Sequence, residues 1–189
     1  MITKQELRRR LRKARRQHMD ALPDAVRALV FNRPPAAITE KIPETAVIGF
    51  YRAIPGEAPT DSYARWFFER GHRIALPAFD GFEGAMHFRQ WANPYVDDEL
   101  EPGAFGLQPP ADAPEVVPDV LFVPLVGFTE RGERIGQGGG HYDRWLAAHP
   151  GVLAIGLAWD AQKVDFLPVE EHDMPLSTIV TPTRLYGPF

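Results

Sequence analysis

Apolar positions in the first segment recur at helical spacing. Leu7, Leu11 and Ala14 follow Thr3 and Glu6, which stand as a capping box, so an amphipathic helix is predicted over residues 4–18. Pro23 opens a second helix through Ala25 to Phe31, stopped by Asn32-Arg33-Pro34-Pro35. The pattern then changes. Ala46 to Phe50, Arg73 to Pro77, Val120 to Leu125, Val152 to Ala158 and Ser177 to Thr181 are short apolar runs of the kind that strands buried on both faces require. Between the first two, Thr60 or Asp61 caps a helix carrying Tyr63, Trp66, Phe67 and Arg70 at helical spacing, ended by Gly71; Trp66 and Phe67 read as core. Met86 to Trp91 alternates like a strand with one wet face, where His87 and Trp91 are either ligand contacts or structural. Residues 93–119 are proline-rich and acidic and read as a long loop of the kind that lines sites or lies irregularly over the surface, and a further helix begins near His141. Strands alternating with helices imply an α/β fold, with one βαβ unit over residues 46–77.

Composition sharpens this only in places. At 189 residues, 44% of them hydrophobic, the chain suits a single globular domain spanning 1–189. Cysteine is absent, which excludes disulfides, thiolate metal sites and a cysteine nucleophile. The N-terminus runs straight into charged residues with no apolar signal core, and no run is long enough to span a bilayer; a cytoplasmic protein without membrane partners is expected. The net charge of −4 hides an asymmetry, because residues 1–16 hold eight of the 21 Lys and Arg against one acid, Glu6. That basic helix is a solvated face, a nucleic-acid contact, or a source of cations for one small polyphosphate.

The candidate chemistry lies in residues 119–146. A buried strand runs into a loop with Gly136, Gly138, Gly139 and Gly140, followed by a helix start. Residues without side chains let backbone N–H groups approach a ligand, and the helix terminus adds partial positive charge, so an anion, first of all phosphate, is expected there. Two better-known loops are excluded. Gly127 and Gly132 have Walker spacing, but Glu133 follows; Gly136 and Gly138 fit a dinucleotide fingerprint, but His141 stands where its third glycine belongs. Arg131 and Arg134 supply charge for phosphates, and Arg144 either does so or pairs with a scaffold acid. Glu170, Glu171, His172 and Asp173 are four titratable groups in a row, a hard-cation site or a solvated turn. Glu57, on the residues alone, reads as an exposed loop acid.

The stretch Val123-Pro-Leu-Val-Gly-Phe-Thr-Glu-Arg-Gly-Glu-Arg-Ile-Gly-Gln-Gly-Gly-Gly-His-Tyr-Asp-Arg-Trp-Leu146 resembles the signature of the 5-formyltetrahydrofolate cyclo-ligase family, also called methenyltetrahydrofolate synthetase. The resemblance implies a three-layer Rossmann-like α/β domain, with a mostly parallel sheet and helices on both faces. It also implies ATP- and Mg2+-dependent conversion of 5-formyltetrahydrofolate to 5,10-methenyltetrahydrofolate, with small-molecule substrates and no nucleic-acid partner. Carried over residue by residue, it implies ATP binding by Lys4 and Arg8, by Arg134, Ile135, Gly136, Gln137, Gly138, Gly139 and Gly140, and by His141 and Tyr142. Tyr51 and Glu57, with Gly138, Gly140 and Tyr142, would contact the folate; Asp143 and Asp173 would hold the metal; Arg134 and Asp143 would be catalytic. The remaining basic residues of the first helix then read mostly as solvated.

This sequence departs from the family pattern at His141, where tyrosine is usual, at Thr129, where Asp is frequent, and at Gln108, where Glu-Pro is common and to which no role is assigned. Those departures keep open a divergent, non-catalytic relative that binds nucleotide or folate, and the arginine-rich helix keeps open an RNA-binding one.

Overall fold

The computed structural model describes residues 2–189. Helix α1 (Lys4–Ala21) starts with the capping box formed, Thr3 accepting from the Glu6 amide and Glu6 from the Thr3 amide. It runs one turn beyond the predicted end. Short helices α2 (Asp24–Leu29) and α3 (Ala36–Thr39) follow; α3 is too short to show a period in the sequence.

The central sheet begins with β1 (Val47–Gly49), crosses through α4 (Asp61–Phe68) to β2 (Arg73–Ala78) and turns back into β3 (His87–Trp91). Thr60 stands at the N-cap of α4, but its hydroxyl donates to the Tyr51 carbonyl at 2.7 Å instead of capping the helix. The loop read as irregular over residues 93–119 contains a hairpin, β4 (Glu101–Gly103) and β5 (Gly106–Gln108). Then come β6 (Val120–Pro124), a small hairpin of β7 (Gly127–Phe128) and β8 (Arg134–Ile135), α5 (His141–Ala148), β9 (Leu153–Leu157), β10 (Thr178–Val180) and β11 (Leu185–Tyr186).

Strand order is β11-β10-β9-β6-β1-β2-β3, with the five inner strands parallel and both edges antiparallel. The predicted mostly parallel α/β sheet is what forms. Its buried strands obey the two-residue alternation. Ile48, Ile74, Leu76, Phe122, Ile155 and Leu157 face one core with Tyr63, Ala64 and Phe67 of α4. Val47, Ala75, Leu121, Val123, Ala154 and Ile179 face the other with Trp145 and Leu146 of α5. Helices therefore cover both faces. Phe67 is core as expected, while Trp66 is half-buried under the Arg70 guanidinium.

Chain order reverses between β1 and β6: β2 lies on one side of β1, and β6 and β9 on the other. In open α/β sheets the crevice outside the carboxyl ends of such a strand pair is where ligands bind. The loops leaving β1 and β6 both open there. Helix α1 docks beside it through Leu7 and Leu11, which pack on Val126, Ile135 and Leu167. Each leucine contributes about 1.5–3 kcal/mol of burial. Gly127 is required for this seat, because a Cβ there would stand 2.4 Å from Leu11 Cδ1. Among the described residues, no helix is long and apolar enough to cross a membrane.

Candidate active site

The loop after β6 is built in two parts. Its β7–β8 hairpin turns at Thr129, whose amide donates to the Glu133 carbonyl at 3.0 Å and whose hydroxyl donates to Glu133 Oε2 at 2.7 Å. The turn points away from the crevice and carries Arg131 with it, 64% exposed on its side chain and paired with Glu133. The expectation that Arg131 serves phosphates therefore fails. Its position in the sequence is close to the glycines, but the hairpin reverses the chain between them. Thr129, fully buried, closes the turn and does not line the site.

After β8 the chain passes Gly136 to Gly140 and enters α5. Gly138 (φ 115°) and Gly140 (φ 68°) hold positive dihedrals, and Gly140 is the N-cap residue. Among the described residues, none accepts a hydrogen bond from the backbone N–H groups between Gly136 and Asp143. A run of unspent N–H groups at a helix start is the arrangement that receives phosphate.

Helix α1 lays cations along this loop. Arg8 Nε donates to the Gly136 carbonyl at 2.8 Å, and Arg12 Nη2 to Gln137 Oε1 at 2.6 Å. Lys4 Nζ lies 2.7 Å from Asp173 Oδ2 and 2.9 Å from Glu170 Oε2. Burial works against the Lys4 charge, but the hydrogen bonds it donates to both carboxylates outweigh that and its pKa lies above the ordinary value. The same exchange holds Asp173 below the usual carboxylate range: burial opposes, and the Lys4 and Glu170 hydrogen bonds win. Arg9, Arg10, Lys13 and Arg16 are exposed, as the mostly solvated reading expects, and Arg12 and Arg15 are its exceptions. Arg15 is buried beneath Gly56 of the β1 loop, and burial lowers its pKa while the charge of Glu57 opposes that shift.

Arg134 is buried, with its side chain 4% exposed, and its Nη2 donates to Asp143 Oδ1 at 2.7 Å. Burial lowers its pKa, and Asp143 resists the change. Asp143 Oδ1 also accepts from the Met174 amide at 3.0 Å, which joins α5 to the 170–173 turn. Arg144 is exposed, turns back to His141 Nδ1 at 3.2 Å and lies outside the site.

The β1 loop supplies the opposite wall. Glu57 is buried at 8% exposure, and its Oε2 accepts from the Ile54 amide at 3.1 Å while Oε1 accepts from Gln137 Nε2 at 3.0 Å. The exposed-acid reading of Glu57 thus gives way to a buried carboxylate aimed at the glycine loop. Tyr51 donates its hydroxyl to the Ala58 carbonyl at 2.6 Å, and burial, then Glu57, pushes its pKa well up. Burial and Glu57 likewise raise Tyr142.

These parts enclose one cavity of about 510 Å³. Every residue singled out from the family motif lines it: Lys4, Arg8, Tyr51, Glu57, Arg134 through Asp143, and Asp173. The volume is that of a small-molecule site.

The sequence marked the 93–119 loop as one that could line a site, but not the apolar residues that do so. Pro77, Phe79, Phe105 and Leu107 line the cavity, and His141 sits with its ring 5.0 Å from both Phe79 and Phe105. Burial, then Arg144, lowers the His141 pKa, so its ring is a neutral aromatic at pH 7. Gln108, given no role, fixes this wall. It is buried, and its amide exchanges hydrogen bonds with the Phe79 backbone at 3.1 and 3.3 Å, which ties the β4–β5 hairpin to the end of β2. The sole sequence cue was Phe105 set between Gly103 and Gly106. His87 and Trp91 lie outside the cavity, Trp91 buried with its indole donating to the Val96 carbonyl.

Glu170, His172 and Asp173 each offer a ligand atom within 4.8 Å of the others, and Asp143 reaches the same cavity from α5. Hard carboxylate oxygens from two elements beside a phosphate-type loop suit magnesium, which takes few protein ligands and completes its shell with water and phosphate.

A sequence model of the 5-formyltetrahydrofolate cyclo-ligase family matches residues 1–182. The 5-formyltetrahydrofolate cyclo-ligase of Escherichia coli (strain K12) is 35% identical over 147 residues, covering 74% of this chain and 79% of that protein. The Haemophilus influenzae protein of the same name is 31% identical over 140 residues, 70% and 74% of the two chains. The solved structure of Aquifex aeolicus 5,10-methenyltetrahydrofolate synthetase superposes with a TM-score of 0.74 at 26% identity, over 99% of this chain and 93% of that one.

Proposed function

Because the chain belongs to the 5-formyltetrahydrofolate cyclo-ligase family, we propose that it is a ligase that closes 5-formyltetrahydrofolate to 5,10-methenyltetrahydrofolate, using ATP with magnesium, in the cavity between β1 and β6. The observation that carries this is the meeting of two unlike walls in one cavity. On one side are the unspent amides of the glycine loop with Lys4, Arg8 and Arg134; on the other are a buried carboxylate, Glu57, and the rings of Phe79, Phe105 and His141. The first suits a triphosphate, and the second a flat heterocycle with N–H donors.

In the proposed reaction the formyl oxygen takes the γ-phosphoryl group and ADP departs; the second folate nitrogen then attacks the activated carbon, and phosphate leaves with that oxygen and with the proton that nitrogen gives up. The substrates supply both nucleophiles, so no Ser/His/Asp constellation is needed. What the protein contributes is alignment and charge. The amides of Gly136 to Gly140 and the side chains of Lys4, Arg8 and Arg134 cradle the phosphates. Glu57 accepts hydrogen bonds from the pteridine, and Tyr51 and Tyr142, both held as neutral phenols by burial, line the path between. Asp143 and Asp173 would hold magnesium, whose charge offsets that building on the transferred phosphoryl group. The rings of Phe79, Phe105 and His141 exclude water from the apolar side.

Arg8 and Arg12 turn inward to the glycine loop, which supports a single small polyanion as ligand in preference to an extended nucleic acid. The test is to mix purified protein with ATP, MgCl2 and 5-formyltetrahydrofolate and follow the absorbance of the methenyl product. A rise that requires both ATP and magnesium is expected; no product under saturating substrates would remove the catalytic reading and leave a binding protein.

A further inference from the structure

The two carboxylates assigned to magnesium are each already held by a cation assigned to phosphate. Lys4 Nζ bridges Asp173 and Glu170 at 2.7 and 2.9 Å, and Arg134 holds Asp143 at 2.7 Å. Lys4, Asp173, Asp143 and Arg134 are largely withdrawn from water, with side-chain exposures of 19%, 17%, 17% and 4%, while Glu170 stands 55% exposed at the rim. At such depth each member depends on its partner, Arg134 most of all and the carboxylates, which keep some contact with water, less. Arg134 Nε is also buried and unpartnered among the described residues, so that guanidinium has a donor still unused.

We propose that the nucleotide site is internally neutralised and opens by exchange of partners: Lys4 and Arg134 pass from carboxylate to phosphate oxygens only when a divalent cation takes over Asp173 and Asp143. This rests on the nucleotide-site reading above and specifies its ligand, the magnesium–triphosphate complex, with each half disfavoured alone. Metal-free triphosphate that captures Lys4 and Arg134 strands the part-buried carboxylates of Asp143 and Asp173 beside its own negative charge, and the exposed Glu170 adds to the repulsion. A divalent cation that captures the carboxylates strands Lys4 and Arg134 beside it. Arriving together, the two satisfy both sets. The exchange is local, because Lys4 is in the first turn of α1 and Asp173 in a turn held by the Glu170 amide and the Asp143–Met174 bond.

The test is calorimetric binding of ATP, without folate, in excess MgCl2 and separately in EDTA. Four proteins are compared: the unmodified chain, Glu170→Gln/Asp173→Asn, Lys4→Met, and the triple combination. Asn and Gln keep the acceptor oxygens of the turn while removing charge. Exchange predicts that Glu170→Gln/Asp173→Asn binds metal-free ATP about fivefold or more tighter than the unmodified chain and loses most of the gain from magnesium. In the Lys4→Met background the same neutralisation should yield less than about twofold, since no cation is left to release. A gain of equal size with or without Lys4 would mean simple relief of repulsion and would overturn the exchange, as would weaker metal-free binding in the neutralised variant. Should the double substitution melt early, Asp173→Asn alone carries the same sign and the same reversal. An unmodified protein that binds ATP in neither buffer removes the nucleotide-site reading itself, a different outcome from either.

Discussion

Arg134 donates through Nη2 to Asp143 Oδ1 at 2.7 Å, and this bond fastens the end of the β7–β8 hairpin to the first turn of α5 with the five-residue glycine loop strung between them. The two members are unequally buried, at 4% and 17% side-chain exposure. Deleting the more exposed member should therefore do more damage. Asp143→Ala leaves a deeply buried guanidinium without a counter-charge and is expected to cost about 3–5 kcal/mol. Arg134→Ala leaves Asp143 with the Met174 amide and access to water, at about 1–3 kcal/mol. Thermal melts of the two variants check this, and an equal or reversed order contradicts it.

Gly138 at φ 115° has a backbone that residues with side chains rarely adopt, whereas a Cβ there would make only ordinary contact, 3.5 Å from Arg8 Cζ. Gly138→Ala is thus a test of loop shape with little steric component. It is expected to weaken ATP binding about tenfold, corresponding to about 1–3 kcal/mol of local strain, with a small change in melting temperature. Gly136→Ala, at a position without positive φ, carries no such strain; its Cβ would instead stand 3.2 Å from Arg134 Nη1 and press on that guanidinium. A large melting loss with unaltered nucleotide affinity would show the glycines to be only a turn.

Glu57 belongs to the folate half in this reading. Glu57→Gln retains its size but removes the charge that makes such a hydrogen bond worth about 1.5–3 kcal/mol where a neutral one is worth about 0.5–1.5, so the KM for 5-formyltetrahydrofolate should rise about fivefold to tenfold. The KM for ATP should stay within about twofold. Steady-state kinetics with each substrate varied decide it, and a change confined to ATP contradicts the assignment.

His141 adds a pH dependence to stability. Its folded pKa is depressed below 6.5, by burial first and Arg144 second. The unfolded chain therefore takes up the proton before the folded one does, and stability falls as pH drops from 6.5 toward the lower folded value. His141→Phe should flatten the melting temperature between about pH 5 and 7 relative to the unmodified chain. An unchanged slope would place the dependence elsewhere.

Much of this was legible before folding was considered. Val120 to Leu125 is a continuous apolar run, and four glycines ahead of a helix start have few structural uses, so the strand and the glycine loop that borders the crevice could be read from the chain. The acid wall was legible only through family likeness. Nothing local announces that Glu57 is buried; that follows from Arg15, Trp159 and Gln137, which arrive from distant segments. Arg15 was misread for the same reason, since an arginine on a basic helix gives no sign that another loop will cover it. The β4–β5 hairpin and its Phe105 carry no period in a proline-rich stretch, and two-residue strands such as β7 and β8 are below the length at which alternation can show.

The most direct measurement is an amide NMR titration of the 15N-labelled protein with ATP and MgCl2. The expected result is that the resonances of Gly136, Gly138, Gly139 and Gly140 shift together and saturate, while those of Arg10 and Arg16 on the exposed side of α1 stay in place. Glycine resonances that remain still while the nucleotide binds would contradict the cradle and, with it, the assignment of the phosphate site.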